Sequence, residues 1–129
     1  MRDTDIKSAV VRNRPDVGVF AIGGPLDAKI AEKIEGRLRS AVSRKIRTLI
    51  LDLEEVRYIN SMGMTYLVRL SDQLESKGGA LHLANAQPKV KLILEMMGLT
   101  TFLKVYPSVQ GALRVAVASR TSVARAAGK

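Results

Sequence analysis

Residues Thr48 to Leu53 read Thr-Leu-Ile-Leu-Asp-Leu, an apolar run interrupted only by Asp52. A strand with one wet face alternates apolar and polar side chains. A run without that alternation belongs to a central strand covered on both faces, the usual state of strands in a largely parallel sheet. The segments around it alternate between strand and helix character, which points to an α/β domain. The expected architecture is a mixed sheet of four to five strands packed with about four helices.

The flanking segments can be placed on the same logic. Ile6 to Arg12 and Val17 to Ile22 read as two strands of an antiparallel hairpin, with Asn13-Arg14-Pro15-Asp16 as the turn. Gly23-Gly24-Pro25 then breaks the chain, and Asp27 is placed to cap a helix from Ala28 to about Arg44. In that helix Ile30, Ile34, Leu38 and Val42 recur every four residues, with Ala31 and Ala41 widening the face. A second helix begins near Ser61 and runs to about Lys77, with Met64, Leu67, Val68 and Leu74 as its buried stripe and Gly78-Gly79 as its stop. Ala80 to Ala84 is a short strand. Pro88 opens a third helix that turns Val90, Ile93, Leu94 and Met97 inward and ends at Gly98. Phe102 to Tyr106 forms a last strand, and Ser108 caps a final helix through Ala118. Successive parallel strands imply right-handed crossovers, and binding sites in such sheets favour the strands' C-terminal ends.

The chain of 129 residues is 47% hydrophobic, enough to bury a core in one domain without staples. Residues 1–118 are assigned to that domain. The small and basic residues 119–129 are read as a frayed tail. No cysteine is present. A disulfide scaffold, a thiolate metal site and a cysteine nucleophile are thereby excluded. Met1 to Asp5 leads into no apolar segment of signal-peptide length, and no stretch approaches a membrane span. The expectation is a soluble cytoplasmic protein with no membrane partner.

A net charge of +9, from 21 basic and 12 acidic residues, invites a nucleic-acid or anionic-membrane partner. The basic residues are scattered, however, and two Phe, three Tyr and no Trp supply few stacking platforms. A basic, solvated surface is the preferred reading.

The candidate site lies just after the central strand, in Tyr58-Ile59-Asn60-Ser61-Met62-Gly63-Met64. A hydroxyl stands where a strand hands over to a helix, beside amides that have no intrahelical partner and carry partial positive charge. Such a serine can cap the helix when bare and hold a phosphate when modified. Either Asn60 or Ser61 can supply the cap, at a value of about 1 kcal/mol. Phosphorylation would add roughly two negative charges at a helix end able to host them. It would then change the surface a partner meets without unfolding the chain.

Together these features resemble the STAS domain of bacterial anti-sigma factor antagonists. The order is hairpin, Gly24-Pro25-Leu26-Asp27 at the first helix, apolar strand, then Ile59-Asn60-Ser61-Met62-Gly63-Met64 at the second, and the resemblance covers residues 5 to 118. The family's usual motif is Asp-Ser-Ser/Thr-Gly-Leu-Gly, with its first serine phosphorylated by a partner anti-sigma kinase. Asn60 stands at the aspartate, Ser61 at the phosphoserine, Gly63 at the glycine and Met64 at the leucine. Asp27 matches another acidic position near the switch. The resemblance implies a module that binds an anti-sigma serine kinase when Ser61 is bare, frees a sigma factor by doing so, and is reset by a serine phosphatase. ATP belongs to the kinase in this scheme, and the chain needs no cofactor of its own. Asp27, Asn60, Ser61, Met62, Gly63, Met64 and Thr65 form the implied partner surface.

Three departures from the motif stand out. Asn60 keeps the shape of aspartate without its charge, Met62 replaces a hydroxyl, and Thr65 replaces the second glycine. Thr65 reads as an ordinary first-turn residue. A scaffold in which Ser61 has no phosphate, and a nucleic-acid-associated protein, are the rival readings.

Other positions are less informative. His82, the sole histidine, sits between Leu81 and Leu83 and reads as structural or surface. Asp52, Glu54 and Glu55 read as a solvated strand end rather than a metal cluster. Gly23-Gly24-Pro25 lacks the spacing of a nucleotide-binding loop. Met96 and Met97 read as core filling, whereas Met62 and Met64 straddle the switch and suit an interface.

Overall fold

The computed structural model describes residues 6–40 and 43–118. Its centre is a five-stranded sheet in the order β1-β2-β3-β4-β5. The strands are β1 (Ile6–Val11), β2 (Arg14–Gly23), β3 (Thr48–Glu55), β4 (Ala80–Ala84) and β5 (Lys104–Tyr106). β1 runs antiparallel to β2, and β2 through β5 are mutually parallel. Helices α1 (Ala28–Leu38), α2 (Ser61–Glu75), α3 (Pro88–Met96) and α4 (Val109–Ala118) complete the fold, with a short 3₁₀ turn at Leu99–Thr101.

The unbroken apolar character of β3 has the cause inferred for it. Leu49, Leu51 and Leu53 point into a large core shared with Ile34 of α1, Leu67 of α2 and Leu94 of α3. Ile50 faces the other way, into a smaller cluster with Val17, Ala84, Ala112 and Ala116 beneath α4. Small residues of α4 thus let it lie close to the sheet. The two faces of one strand serve two different layers.

The first hairpin turns sooner than expected. Val11 pairs with Arg14, so Arg12-Asn13 make the turn, while Val10 pairs with Gly18. Pro15, Asp16 and Val17 therefore bulge from the β1 ladder, where the missing N–H of Pro15 breaks no bond. Burial of Arg14 explains the arrangement. Its guanidinium grips the Asp16 carboxylate through two bonds of 3.0 Å and donates a third, also of 3.0 Å, to the carbonyl of Val117 at the end of α4. A forked cation can satisfy a carboxylate and a carbonyl together, and that tethers α4 to the start of β2.

α1 also ends sooner, at Leu38 instead of about Arg44. Past that point the amides of Ser40, Ser43 and Ile46 bond three residues back, a sequence of tight turns leading to β3. The expected inward positions Ala41 and Val42 lie outside the described residues, as does the 119–129 tail. In α2 the buried stripe is Tyr66, Leu67, Leu70 and Leu74, with Met64 and Val68 only half-buried. Gly78, at φ 86°, takes the left-handed turn that stops the chain after α2. Met96 and Met97 overturn the core-filling expectation, being 73% and 60% exposed.

Candidate functional site

Two helix N-termini are stitched together at the C-terminal end of the parallel strands. Leu26, just before α1, and Ile59, just before α2, form a parallel bridge. The Leu26 amide donates to the Tyr58 carbonyl at 2.8 Å, and the Asn60 amide donates to the Leu26 carbonyl at 3.3 Å. This pairing fixes Gly24-Pro25-Leu26-Asp27 beside Ile59-Asn60-Ser61. It gives the sequence's two separated candidate segments a common location.

Each helix brings its own cap. Oδ1 of Asp27 accepts the Ile30 amide at 3.2 Å, and Oδ1 of Asn60 accepts the Gly63 amide at 2.9 Å. The choice between Asn60 and Ser61 as cap is therefore resolved in favour of Asn60. Ser61 becomes the first residue of α2 and is exposed. Its hydroxyl is not spent on the cap, and the amides of Ser61 and Met62 have no carbonyl one turn back to bond. The helix dipole adds positive potential at the same place. An added phosphate would meet amides here rather than an apolar wall.

Gly63 explains how the two turns approach so closely. A Cβ at that position would lie 2.1 Å from the Leu26 carbonyl oxygen and 2.8 Å from its carbon. Only glycine leaves room for the Leu26 backbone against the first turn of α2. Gly63 is thus buried under the site and shapes it from below, although its implied role was partner contact. Leu26, fully buried, is a structural residue that nothing local in the sequence singles out.

The outer surface is mixed. Met62 is 58% and Tyr58 57% exposed, and Thr65 is also exposed, while Met64 is half-buried. Tyr58, part of the candidate segment but outside the implied partner surface, is an exposed large side chain like Met62. Glu54 and Glu55 are exposed at the end of β3, lining a cavity of about 430 Å³ with Lys7 and Asp52. The Asp52 carboxylate accepts from the Glu54 amide at 3.1 Å and from the Asn85 side chain at 3.2 Å, a structural use. Among the described residues no group of acids and histidine is arranged to hold a metal ion.

α1 and α2 are locked together behind the site. The Tyr66 hydroxyl donates to Oε2 of Glu35 at 2.5 Å. Burial, together with the Glu35 carboxylate, pushes the Tyr66 phenol well above its ordinary range. It stays a neutral donor. His82 lies in β4 on the α4 face, buried, with its ring edge-to-face with Tyr106 at 5.3 Å between centroids. Burial, and then nearby Lys104, lower its affinity for a proton, and its Nδ1 has no hydrogen-bond partner. His82 is a structural residue remote from Ser61.

Comparison with known proteins places this geometry in a family. The "Putative anti-sigma factor antagonist BtrV" of Bordetella bronchiseptica is 28% identical over 107 residues, spanning 83% of this chain and 90% of that protein. The anti-sigma factor antagonist SpoIIAA of Bacillus, in its unphosphorylated form, superposes with a TM-score of 0.68 at 22% identity, covering 85% of this chain and 95% of that one. A sulfate transporter family protein from Wolinella succinogenes superposes with a TM-score of 0.69 at 23% identity, covering 84% and 88%. The STAS domain family matches residues 8–112, and the chain belongs to it.

Proposed function

We propose that this domain is an anti-sigma factor antagonist that binds an anti-sigma serine kinase while Ser61 is unmodified and releases it once Ser61 is phosphorylated. One observation carries the reading: Asn60 takes the cap, leaving an exposed Ser61 hydroxyl at the first turn of α2. A kinase can reach that hydroxyl without unwinding the helix. Asp27, Asn60, Met62, Met64 and Thr65, with Tyr58, surround it as the contact surface.

Binding and release follow from one local change. The bare surface offers exposed Met62 and Tyr58 for burial by the partner, the kind of side chains that dominate contact energy. A phosphate on Ser61 places roughly two negative charges and their hydration shell among them. Helix amides stabilise the modified domain, while the partner loses a dry contact. Asn60, neutral where the family motif has aspartate, adds no repulsion toward the phosphate. A serine phosphatase would restore the bare form, in the cytoplasm where both enzymes have access. The domain itself performs no chemistry in this scheme.

The test is phosphosite mapping by mass spectrometry after incubation with ATP and the candidate kinase, with Ser61→Ala as control. A single phosphate on Ser61, absent from the variant, is expected. Ser61→Asp should weaken kinase binding and leave the circular-dichroism melt within a few degrees. Tight binding to a partner with no phosphate on Ser61 would support the scaffold reading instead.

A further inference from the structure

The pole of the sheet opposite Ser61 has a different chemistry. Parallel strands β2 to β5 all begin there, and so the segments that feed them meet there. Arg44, Lys45 and Arg47 precede β3, and Lys77 follows α2; all four are exposed and line a cavity of about 710 Å³. Asp16, the carboxylate in that lining, is already held by buried Arg14. The Arg47 carbonyl accepts the Ala80 amide at 3.2 Å, which ties the two cationic segments together.

Large apolar side chains are exposed on the same pole. Met96 and Met97 end α3, and Phe102 precedes β5; they are 73%, 60% and 70% exposed. The 3₁₀ turn between them fixes their spacing, since the Phe102 amide bonds the Leu99 carbonyl at 3.0 Å. Acidic side chains occur at both poles: Asp52, Glu54 and Glu55 end β3 on the Ser61 side, and exposed Glu75 and Glu95 close α2 and α3 on this one. The four cations outnumber Glu75 and Glu95, and the exposed methionines lie toward the same end of the sheet.

We infer that the pole formed by Arg44, Lys45, Arg47 and Lys77 with Met96, Met97 and Phe102 is a docking surface for an anionic lipid bilayer. Charge complementarity selects a negative surface. The apolar side chains select a lipid one, because a bilayer interface can bury methionine and phenylalanine beside a layer of phosphates. A nucleic-acid backbone would satisfy the cations and leave these side chains in water. The absence of any membrane-spanning helix among the described residues concerns insertion, and docking needs none. Bound this way, the domain would hold Ser61 away from the bilayer. The inference does not depend on phosphorylation of Ser61.

Co-sedimentation of the full chain with vesicles of phosphatidylcholine containing about 30% phosphatidylglycerol tests it, against pure phosphatidylcholine. Binding to the anionic vesicles that weakens between about 0.1 M and 0.5 M salt is expected. Arg44→Glu with Lys45→Glu should lower the partition coefficient by about thirtyfold or more. Met96→Ser with Phe102→Ser should lower it severalfold while keeping the salt dependence, and Ser61→Ala should leave it unchanged. Circular dichroism checks that each variant is folded, and the two variant sets act on separate segments. No binding to anionic vesicles overturns the inference. So does binding lost only when Arg120, Arg125 and Lys129 are all replaced by Gln, which would assign it to the chain's end. Vesicle binding abolished by excess duplex DNA, and indifferent to Met96→Ser with Phe102→Ser, would transfer the pole to a nucleic-acid partner.

Discussion

The substitution Gly63→Ala tests the construction of the site directly, and Gly36→Ala supplies the opposite case. Both glycines lie in helices, so each replacement removes backbone freedom from the unfolded chain and should favour folding by about 0.5–1 kcal/mol on that count alone. Around Gly36 a new Cβ meets nothing within 4 Å, so that gain should be realised in full. Around Gly63 the new Cβ would stand 2.1 Å from the Leu26 oxygen, roughly 1.3 Å short of ordinary contact. The obstacle is backbone and cannot rotate away.

Relief requires α2 to move from the Leu26 turn. Such a shift stretches the bridge whose two bonds measure 2.8 and 3.3 Å, each worth about 1 kcal/mol. Overpacking of this kind typically costs about 1–3 kcal/mol. After the helix gain is subtracted, Gly63→Ala should destabilise by about 1–2 kcal/mol and lower Tm by roughly 4–10 °C. Gly36→Ala should raise Tm by a few degrees. Urea and thermal unfolding of both variants, followed by circular dichroism, measure the contrast. If Gly63→Ala equals or exceeds the parent protein in stability, the close approach of Leu26 to α2 is wrong, and so is the stitched geometry built on it.

Three further outcomes follow from the same structure. Asn60→Ala should cost about 1 kcal/mol in urea unfolding through loss of the Gly63 cap, whereas Asn60→Asp should stay within a few tenths. Equal stability of the alanine variant would return the cap to another group. Tyr66→Phe should cost about 1–2 kcal/mol at neutral pH by leaving Glu35 without its donor. Because the folded phenol holds its proton more tightly than the unfolded one, which titrates near pH 10, this stability is present below pH 10 and lost above it. The difference between Tyr66→Phe and the parent should therefore narrow in alkaline denaturation series. His82 acts in the other direction: its folded form resists protonation, so the unfolded chain takes the proton first as pH falls below about 6.5. Stability should decline from pH 7.5 to about 5.5, and less steeply in His82→Leu; identical slopes would place the titrating group elsewhere.

Much of the fold was legible because periodicity is a local record of burial. The unalternating run of β3, the caps Asp27 and Ser108, and Pro88 at the first turn of α3 all act within a few residues of themselves. The early hairpin turn was not legible. It depends on Arg14 reaching the Val117 carbonyl, a partner 103 residues away, and sequence position made an arginine beside proline look like turn chemistry. The site was legible by type but not by role. Ser61 and Asn60 were adjacent candidates for one cap, and local propensity scarcely separates them. The Leu26–Ile59 bridge, a contact between distant segments, positions Asn60 to face the Gly63 amide. Gly63 likewise looked like a contact residue because nothing local reveals a backbone passing beneath it.

Met96 and Met97 show the remaining limit. Helical spacing correctly placed Val90 and Leu94 inward and extended the same stripe to Met97. At that end of α3, however, β5 contributes only three residues, Lys104 to Tyr106, and a 3₁₀ turn leads the chain away. Leu94, in the same last turn, is buried in the core, whereas Met96 and Met97 fall outside the covered stripe and face solvent. Periodicity reports which side of a helix is apolar; the neighbouring elements decide how far along the helix that side stays covered. The end of α3 and the turn after it leave three large apolar side chains, Met96, Met97 and Phe102, exposed toward the end of the sheet where the parallel strands begin.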